Sequence, residues 1–180
     1  MNSTASLTVD QRAALVKCIV FDVDGVLTDG TVMLGPNGES KAFSTQDGHG
    51  IILARKMGIK IAFLTGRASE GTQQRARELQ IDELYESRAG KGPALREVLA
   101  KLNIKPQETC YVGDDLIDLP AMRQVIFPVA VANATAEVKF FAAWTTTRRG
   151  GEGAAREVIE AVLKAQERWA YAVQKYMEGE

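Results

Sequence analysis

Apolar residues follow two different patterns along the chain. Short apolar runs rich in β-branched residues, each bounded by Gly, Asp, Asn or Pro, predict buried strands. These runs cover residues 18–21, 60–64, 109–112 and 127–131. Between them, apolar residues recur at spacings of three and four, which predicts helices. The predicted helices cover residues 50–56, 70–79, 93–102, 116–124 and 135–142.

Strands and helices therefore alternate, which is typical of an α/β fold. Right-handed crossovers make the strands of such a fold mostly parallel, with helices on both faces of the sheet, and ligands bind beyond the carboxyl ends of the strands. The chain has 180 residues, 46% of them apolar, which fits one domain. We predict a single three-layer domain over residues 1–180.

Two segments depart from this pattern. Residues 31–45 contain two extended pieces around Gly-Pro-Asn-Gly, which predicts a β-hairpin flap beside the first strand. Residues 154–178 carry one apolar stripe, which predicts a long C-terminal helix. Such a helix would extend for more than about 35 Å, so we expect its distal part to pack on another subunit.

Charge and composition exclude several classes of protein. Lys and Arg number 22 and Asp and Glu 23, so no overall positive charge favours binding to nucleic acid. The first residues lack the features of an export signal, and no segment approaches the roughly 20 apolar residues that a bilayer span needs. Two cysteines and one histidine do not make a structural zinc site. We expect a cytoplasmic protein without nucleic-acid or membrane partners.

Aspartates follow the ends of two predicted strands. They are Asp22 and Asp24 after the first strand, and Asp114, Asp115 and Asp118 after the third. Side chains alternate across a strand, so Asp22 and Asp24 project to the same side. An isolated Asp-x-Asp is more often a cap or a turn, but that interpretation does not explain both clusters. Carboxylates gathered at two strand ends predict a site for Mg²⁺, which prefers oxygen ligands.

Two further segments suit a phosphate group. Thr65 and Gly66 follow the second predicted strand and offer a hydroxyl and a closely approachable backbone N–H. Lys91 lies just before a helix that Pro93 can open. A cation there opposes the helix dipole, so we expect an anion, either a substrate phosphate or Asp22, to face it.

Through these residues and the motifs that contain them, the chain resembles the haloacid dehalogenase-like (HAD) phosphatase superfamily. The matching motifs are FDVDGVLTDG at 21–30, FLTGR at 63–67, Lys91, and YVGDDLIDLPAM at 111–122. The hairpin, FSTQDGHGI at 43–51 and RGGEGAAREV at 149–158 look like the small cap-less branch of 3-deoxy-D-manno-octulosonate 8-phosphate (KDO 8-phosphate) phosphatases. The resemblance implies a Rossmann-like sheet, a cytoplasmic homotetramer, and release of KDO for lipopolysaccharide synthesis.

The resemblance also implies catalytic roles for four residues. Asp22 would attack phosphorus and form an aspartyl-phosphate. Asp24 would protonate the leaving sugar oxygen and then activate water. Thr65 and Lys91 would bind the oxygens of the transferring phosphoryl group.

The metal ligands are implied in the same way. Mg²⁺ would be held by Asp22, the backbone carbonyl of Asp24, and Asp114. Asp115 and Asp118 would complete or orient this set of ligands.

A KDO phosphate carries a carboxylate as well as a phosphate, so its site should offer further cations. With Gly66, the candidate substrate-binding residues are Arg67, Arg75, Arg148 and Arg149, although each arginine could equally be a surface side chain. Gly150, Gly151 and Gly153 could add backbone donors for an anion. The segments between the motifs are too short for a cap domain. We therefore expect the flap of a neighbouring subunit, together with its C-terminal helix, to close the site.

The sequence leaves two alternatives open. The branch often has a basic residue before its Asp-Gly pair, whereas this chain has Gln46, which leaves room for another acidic sugar substrate. A nine-carbon 2-keto-3-deoxy acid 9-phosphate is one such substrate, and broad specificity is another outcome. The second alternative is a non-catalytic assembly module, against which the intact motif residues argue.

Overall fold

A parallel six-stranded sheet forms the centre of the molecule. The computed structural model describes residues 7–36, 38–87 and 90–179. The strands lie in the order β5-β4-β1-β6-β7-β8, and every neighbouring pair is parallel. Their bounds are β1 Cys18–Phe21, β4 Lys60–Thr65, β5 Glu83–Glu86, β6 Thr109–Gly113, β7 Phe127–Ala130 and β8 Trp144–Thr145. The α/β fold class is confirmed, and β5 and β8 extend the predicted sheet at its edges.

Helices cover both faces of this sheet. Their bounds are α1 Val9–Ala14, α2 Thr45–Lys56, α3 Glu70–Glu78, α4 Lys91–Leu102, α5 Leu119–Met122, α6 Ala136–Phe141, α7 Ala154–Ala165 and α8 Trp169–Met177. Helix α7 packs against α1 and α2, whereas α4 packs against α5 and strands β4 and β5. Among the described residues, no helix has the length and apolar character needed to cross a bilayer.

The register of the three central strands positions the site. All four residues of β1 are buried, as expected for a strand covered on both faces. Phe21 of β1 lies level with Phe63 of β4 and with Val112 of β6. The residues that follow these strands therefore emerge side by side at one edge of the sheet.

The C-terminal segment differs from its prediction. In place of one helix over 154–178, α7 ends at Ala165 and α8 begins at Trp169. Glu167 between them has a φ of 59°, which is outside the helical region and turns the chain. The turn brings Trp169 back over Arg156 of α7, with the guanidinium carbon 5.3 Å from the ring centre. An unbroken helix would carry Trp169 away from this contact.

The flap segment contains a short antiparallel hairpin. Strand β2, Met33–Gly35, pairs with β3, Gly38–Ser40. Asn37, which lies between the two strands in the sequence, is outside the described residues. Helix α2 follows the hairpin and begins earlier than predicted, because the hydroxyl of Ser44 accepts a hydrogen bond from the backbone N–H of Asp47 and caps its first turn.

Candidate active site

A buried lysine joins carboxylates from two strand ends. Asp22 directly follows β1, and its backbone N–H donates to the carbonyl of Val112 on β6. Its Oδ2 lies 2.6 Å from Nζ of Lys91, which also lies 2.6 Å from Oδ1 of Asp118. All three charged side chains are almost fully buried. The expected anion in front of Lys91 is therefore a pair of protein carboxylates.

Helix α4 begins at Lys91 itself. Gly90, which precedes it, has a φ of 94°, a conformation that glycine adopts without strain. Burial by itself lowers the pKa of Lys91, but the charges of Asp22 and Asp118 outweigh it, and the pKa is raised above its usual value. The ammonium group therefore keeps its charge despite its burial at a helix N-terminus.

Asp118 is held by hydrogen bonds from four donors. Its Oδ1 accepts from Lys91 Nζ and, at 2.8 Å, from the hydroxyl of Tyr111. Its Oδ2 accepts from the backbone N–H groups of Asp114 and Asp115, at 2.9 and 3.2 Å. An ionised carboxylate has about four lone-pair positions, so this one is fully used by protein donors. Its geometry fits a residue that orients the site better than one that binds a metal directly.

Asp114 offers an oxygen that nothing in the described protein satisfies. Its Oδ1 is buried and has no hydrogen-bond partner. Carboxylate oxygens of Asp22, Asp114 and Asp118 lie within 4.8 Å of one another. Asp114 packs so closely on Gly25 that a Cβ atom added to Gly25 would lie 2.1 Å from Oδ2 of Asp114. The buried, unpaired oxygen beside a second carboxylate fits a divalent cation with hard oxygen ligands.

Burial makes ionisation of these carboxyl groups unfavourable. It raises the pKa of Asp22 to about 8, although Lys91 opposes the shift, and the charge of Asp118 adds to it. Burial likewise raises the pKa of Asp114 to about 7, with the charge of Asp118 again adding to the effect. A cation between these two residues would favour their ionised forms.

The hairpin of the same subunit reaches Asp24. Nζ of Lys41 lies 2.7 Å from Oδ1 and 2.9 Å from Oδ2 of Asp24, and no part of the lysine side chain is exposed. Glu39 on β3 lies 3.4 Å from the same ammonium and accepts a 2.8 Å hydrogen bond from Nε of Arg67. The ion pairs Lys41–Asp24 and Glu39–Arg67 therefore hold the hairpin against the site of its own chain.

A cleft of about 360 Å³ opens at this point. It is lined by Asp22, Asp24, Gly30, Thr65, Gly66, Arg67, Lys91, Asp114, Asp115 and Ile117. Thr65 is buried, and its hydroxyl accepts from the backbone N–H of Arg67. The structure thus brings the predicted nucleophile, acid/base, phosphate-binding residues and one predicted arginine to a single cavity.

Four other residues that the sequence predicts for the site make contacts or occupy positions that do not fit their predicted roles. Asp115 is exposed, and its Oδ1 caps the following turn by accepting from Leu116 N–H. Arg75 donates to the carbonyl of Ser44 and pairs with Glu78, outside the residues that line the cleft. Arg148 and Arg149 are exposed and do not line it either.

The three glycines before α7 do not present free N–H groups to an anion. Gly150 donates to the side chain of Asn133, Gly151 to the carbonyl of Val26, and Gly153 to Oδ2 of Asp47. A Cβ at Gly150 would lie 1.8 Å from the carbonyl oxygen of Gly25. The role of this segment is therefore close packing against the loop that follows β1.

Sequence reasoning missed three residues of the site. Lys41 and Glu39 are ordinary hairpin residues in the sequence, and only the position of the hairpin brings them to Asp24 and Arg67. Tyr111 is the first residue of the motif at 111–122, which assigns no role to it. Its only signal is a phenolic hydroxyl within a fully buried strand, which needs a partner.

Comparisons with known proteins agree with this geometry. A profile of haloacid dehalogenase-like hydrolases matches residues 83–158. The 3-deoxy-D-manno-octulosonate 8-phosphate phosphatase of Yersinia pestis is 42% identical over 161 residues, which are 89% of this chain and 86% of that protein. The enzyme of the same name from Escherichia coli K12 is 42% identical over 162 residues, with the same coverage of both chains.

Solved structures are similar over almost the whole chain. The crystal structure of the Yersinia pestis phosphatase has a TM-score of 0.87 and covers 90% of this chain and 88% of its own. The Moraxella catarrhalis phosphatase, in complex with magnesium ion, phosphate ion and KDO, has a TM-score of 0.90 at 37% identity and covers 93% and 97%. A cobalt-bound phosphatase from Haemophilus influenzae has a TM-score of 0.88 at 33% identity and covers 92% and 100%.

Proposed function

Because this chain belongs to the haloacid dehalogenase-like hydrolases, we propose that it is a Mg²⁺-dependent phosphatase. Its substrate is KDO 8-phosphate, and its products are KDO, a precursor for lipopolysaccharide synthesis, and inorganic phosphate. The observation that carries this proposal is the buried Asp22–Lys91–Asp118 group beside the unpaired oxygen of Asp114, open to a cleft. Relatives at 42% identity that carry the name of this activity support the choice of substrate.

The reaction has two chemical steps. A carboxylate oxygen of Asp22 attacks phosphorus, the bond between phosphorus and the sugar oxygen breaks, and Asp24 gives that oxygen a proton. Water then attacks the phosphorus of the aspartyl-phosphate while Asp24 takes a proton from it. Inorganic phosphate leaves and the carboxylate of Asp22 is restored. The position of both aspartates on the cleft supports these roles.

Positively charged and hydrogen-bonding groups surround the expected phosphate position. Lys91 keeps its ammonium group beside Asp22, so it can stabilise negative charge on the transferring phosphoryl oxygens. Thr65 and Gly66 line the same cleft and offer a hydroxyl and a backbone N–H. Charged and hydrogen-bonding groups that the fold holds in this way favour transition-state stabilisation.

Asp22 and Asp114 are the side chains that would hold Mg²⁺, together with the backbone carbonyl of Asp24. When bound, the ion supplies positive charge that offsets repulsion between a carboxylate nucleophile and a phosphate dianion. Asp118 orients these groups without binding the ion, because its two carboxylate oxygens already accept four hydrogen bonds. Asp115 is exposed and caps a turn, so the proposed ligand set does not include it.

Among the arginines that the structure describes, Arg67 is the best placed for the carboxylate of the sugar acid. It lines the cleft, and about half of its side chain is exposed. Its Nε is paired with Glu39, and the rest of the planar guanidinium can offer two parallel donors to a carboxylate. Arg75, Arg148 and Arg149 do not line the cleft, so we assign them no role in binding substrate within this subunit.

We also propose a cytoplasmic homotetramer in which a neighbouring subunit completes the closure of the site. Large apolar side chains exposed on this chain support an assembly. They include Met33 and Leu34 on the hairpin, Ile117 beside the cleft, Phe140, and Met177 on α8. Cys18 and Cys110 are buried free thiols, which suits a reducing compartment.

The decisive experiment measures phosphate release from KDO 8-phosphate with Mg²⁺ or with a chelator. We expect activity only with the metal, a preference of at least about tenfold in kcat/KM over a nine-carbon acid 9-phosphate and over glucose 6-phosphate, and a loss of at least about a thousandfold in Asp22→Asn. Preference for the nine-carbon substrate would overturn the substrate assignment alone. Near-normal activity in Asp22→Asn would overturn the mechanism, and no release from any sugar phosphate would favour a non-catalytic module.

A further inference from the structure

A tyrosine hydroxyl lies behind the lysine of the site. Tyr111 is on β6, its side chain is fully buried, and its hydroxyl donates a 2.8 Å hydrogen bond to Oδ1 of Asp118. The same oxygen accepts from Lys91, which in turn lies 2.6 Å from Asp22. A continuous chain of polar contacts therefore runs from the interior of the sheet to the proposed nucleophile.

Lys91 is shared between two carboxylates at equal distances. Oδ2 of Asp22 and Oδ1 of Asp118 each lie 2.6 Å from its Nζ. The hydroxyl of Tyr111 donates to the Asp118 oxygen that binds Lys91, so it takes up part of the negative charge of that oxygen. Without this donor, Asp118 would attract the ammonium more strongly and hold it farther from Asp22. Burial raises the pKa of Tyr111 well above its usual value, so the hydroxyl stays a donor at any ordinary pH.

We propose that Tyr111 is a positioning residue, which acts through Asp118 to hold Lys91 against the phosphoryl group on Asp22. This inference rests on the proposed phosphoryl transfer to Asp22, but it does not depend on which sugar is the leaving group. The hydroxyl also fixes the rotamer of Asp118, because it fills the last acceptor position of a carboxylate in the dry interior. Tyr111 itself does not line the cleft and would not touch the substrate.

The test compares Tyr111→Phe with wild type in the full-length enzyme loaded with Mg²⁺. With p-nitrophenyl phosphate as substrate, we expect kcat/KM to fall about tenfold. A decrease of this size corresponds to the loss of one hydrogen bond to a charged group. The inhibition constant of orthovanadate, which resembles the transition state, should rise by a similar factor. The Mg²⁺ concentration that gives half-maximal activity should change less than about twofold, because the donors to Oδ2 of Asp118 remain.

Tyr85→Phe is the matched control. Its hydroxyl also donates to a carboxylate, that of Glu97, but neither residue lines the cleft of the site. We expect this variant to keep wild-type kcat/KM and vanadate inhibition. A second comparison introduces Tyr111→Phe into a Lys91→Met enzyme, where no ammonium remains to be positioned. There, the change should alter residual kcat/KM less than about twofold.

The outcomes separate the proposal from its rivals. If Tyr111→Phe loses thermal stability while the vanadate constant stays at its wild-type value, the hydroxyl has only a structural role and the proposal is wrong. If the loss in kcat/KM is the same with and without Lys91, Tyr111 does not act through the lysine. Failure of wild type to release phosphate from KDO 8-phosphate would affect the proposed function alone, since p-nitrophenyl phosphate tests the role of Tyr111 independently.

Discussion

Lys41 Nζ lies 2.7 Å from Oδ1 of Asp24, and the lysine side chain is completely buried. A fully buried lysine is rare in proteins unless it is paired. This one lies on the hairpin segment and contacts the residue proposed as general acid and base. The hairpin is therefore coupled directly to the chemistry of its own subunit, whatever a neighbouring subunit adds.

Replacing Lys41 should affect substrates according to their leaving group. Lys41→Met keeps an unbranched side chain, shorter by the ammonium group, and leaves the carboxylate of Asp24 without its ion-pair partner. We expect kcat/KM for KDO 8-phosphate to fall at least about tenfold, because proton donation to a sugar oxygen contributes about 10² to 10⁴ in rate. For p-nitrophenyl phosphate the loss should stay within about threefold, because nitrophenolate leaves without a proton.

Lys60→Met is the control for this prediction. It removes another lysine–aspartate pair of 2.7 Å, with Asp82, at the opposite end of β4 from the site. Both substrates should be hydrolysed by this variant as by wild type. Equal losses for the two substrates in Lys41→Met would show that the lysine only holds the hairpin in place.

The stability of the metal-free protein should fall as pH rises from 5 to 8. Burial raises the pKa of Asp22 to about 8 and of Asp114 to about 7, so in this range the folded state binds more protons than the unfolded chain. The free energy of unfolding then decreases with pH. The carboxyl groups with lowered pKa values, such as Glu39 and Glu160, contribute their stability above their unfolded pKa and lose it only at lower pH.

Thermal unfolding in chelator and in Mg²⁺ measures this effect. In chelator, Tm should decrease between pH 5 and 8, and Asp22→Asn should flatten the decrease. Stabilisation by Mg²⁺ should grow over the same range, because the ion binds the ionised carboxylates. A Tm that rises with pH in chelator would contradict the prediction.

Asp114 and Asp115 should differ sharply despite being neighbours. Asp114 has a buried oxygen without a partner, whereas Asp115 is exposed and caps a turn. Asp114→Asn should weaken Mg²⁺ binding at least about tenfold, by analogy with the loss of other metal-site contacts. Asp115→Asn should change it less than about threefold, since an amide oxygen can still accept from Leu116 N–H. Titration of activity with Mg²⁺ checks both, and similar losses in the two variants would refute the assignment.

The strand ends explain why much of the site could be predicted. Asp22 and Asp114 follow apolar runs that are each long enough for only one buried strand, and parallel strands place their carboxyl ends together. Thr65 follows from the same rule, since β4 pairs with β1. Local sequence and one rule of topology were therefore sufficient to predict that these residues share one edge of the sheet.

Contacts that depend on the relative position of distant elements could not be predicted. The sequence shows a hairpin, but it does not show that the hairpin folds over Asp24 and buries Lys41. The break between α7 and α8 falls at the polar residues 166–168, and the apolar positions on its two sides stay in helical register, so the apolar pattern alone predicts one helix. The same limit applies to the arginines, because the sequence does not show that Arg67 lines the cleft and that Arg148 does not.

The apolar tip of the hairpin provides a test of assembly and site closure together. Leu34 on β2 is 77% exposed in the single subunit, beside Met33. If this surface packs on a neighbouring subunit, Leu34→Glu places an unpaired charge in an apolar interface, at a cost of several kcal/mol. The proposed tetramer should then dissociate at micromolar concentration, as measured by light scattering, and kcat/KM for KDO 8-phosphate should fall with it. Leu15→Glu, at an exposed position after α1, is the control and should do neither. A dissociated Leu34→Glu enzyme with full activity would show that a neighbouring subunit is not needed to close the site.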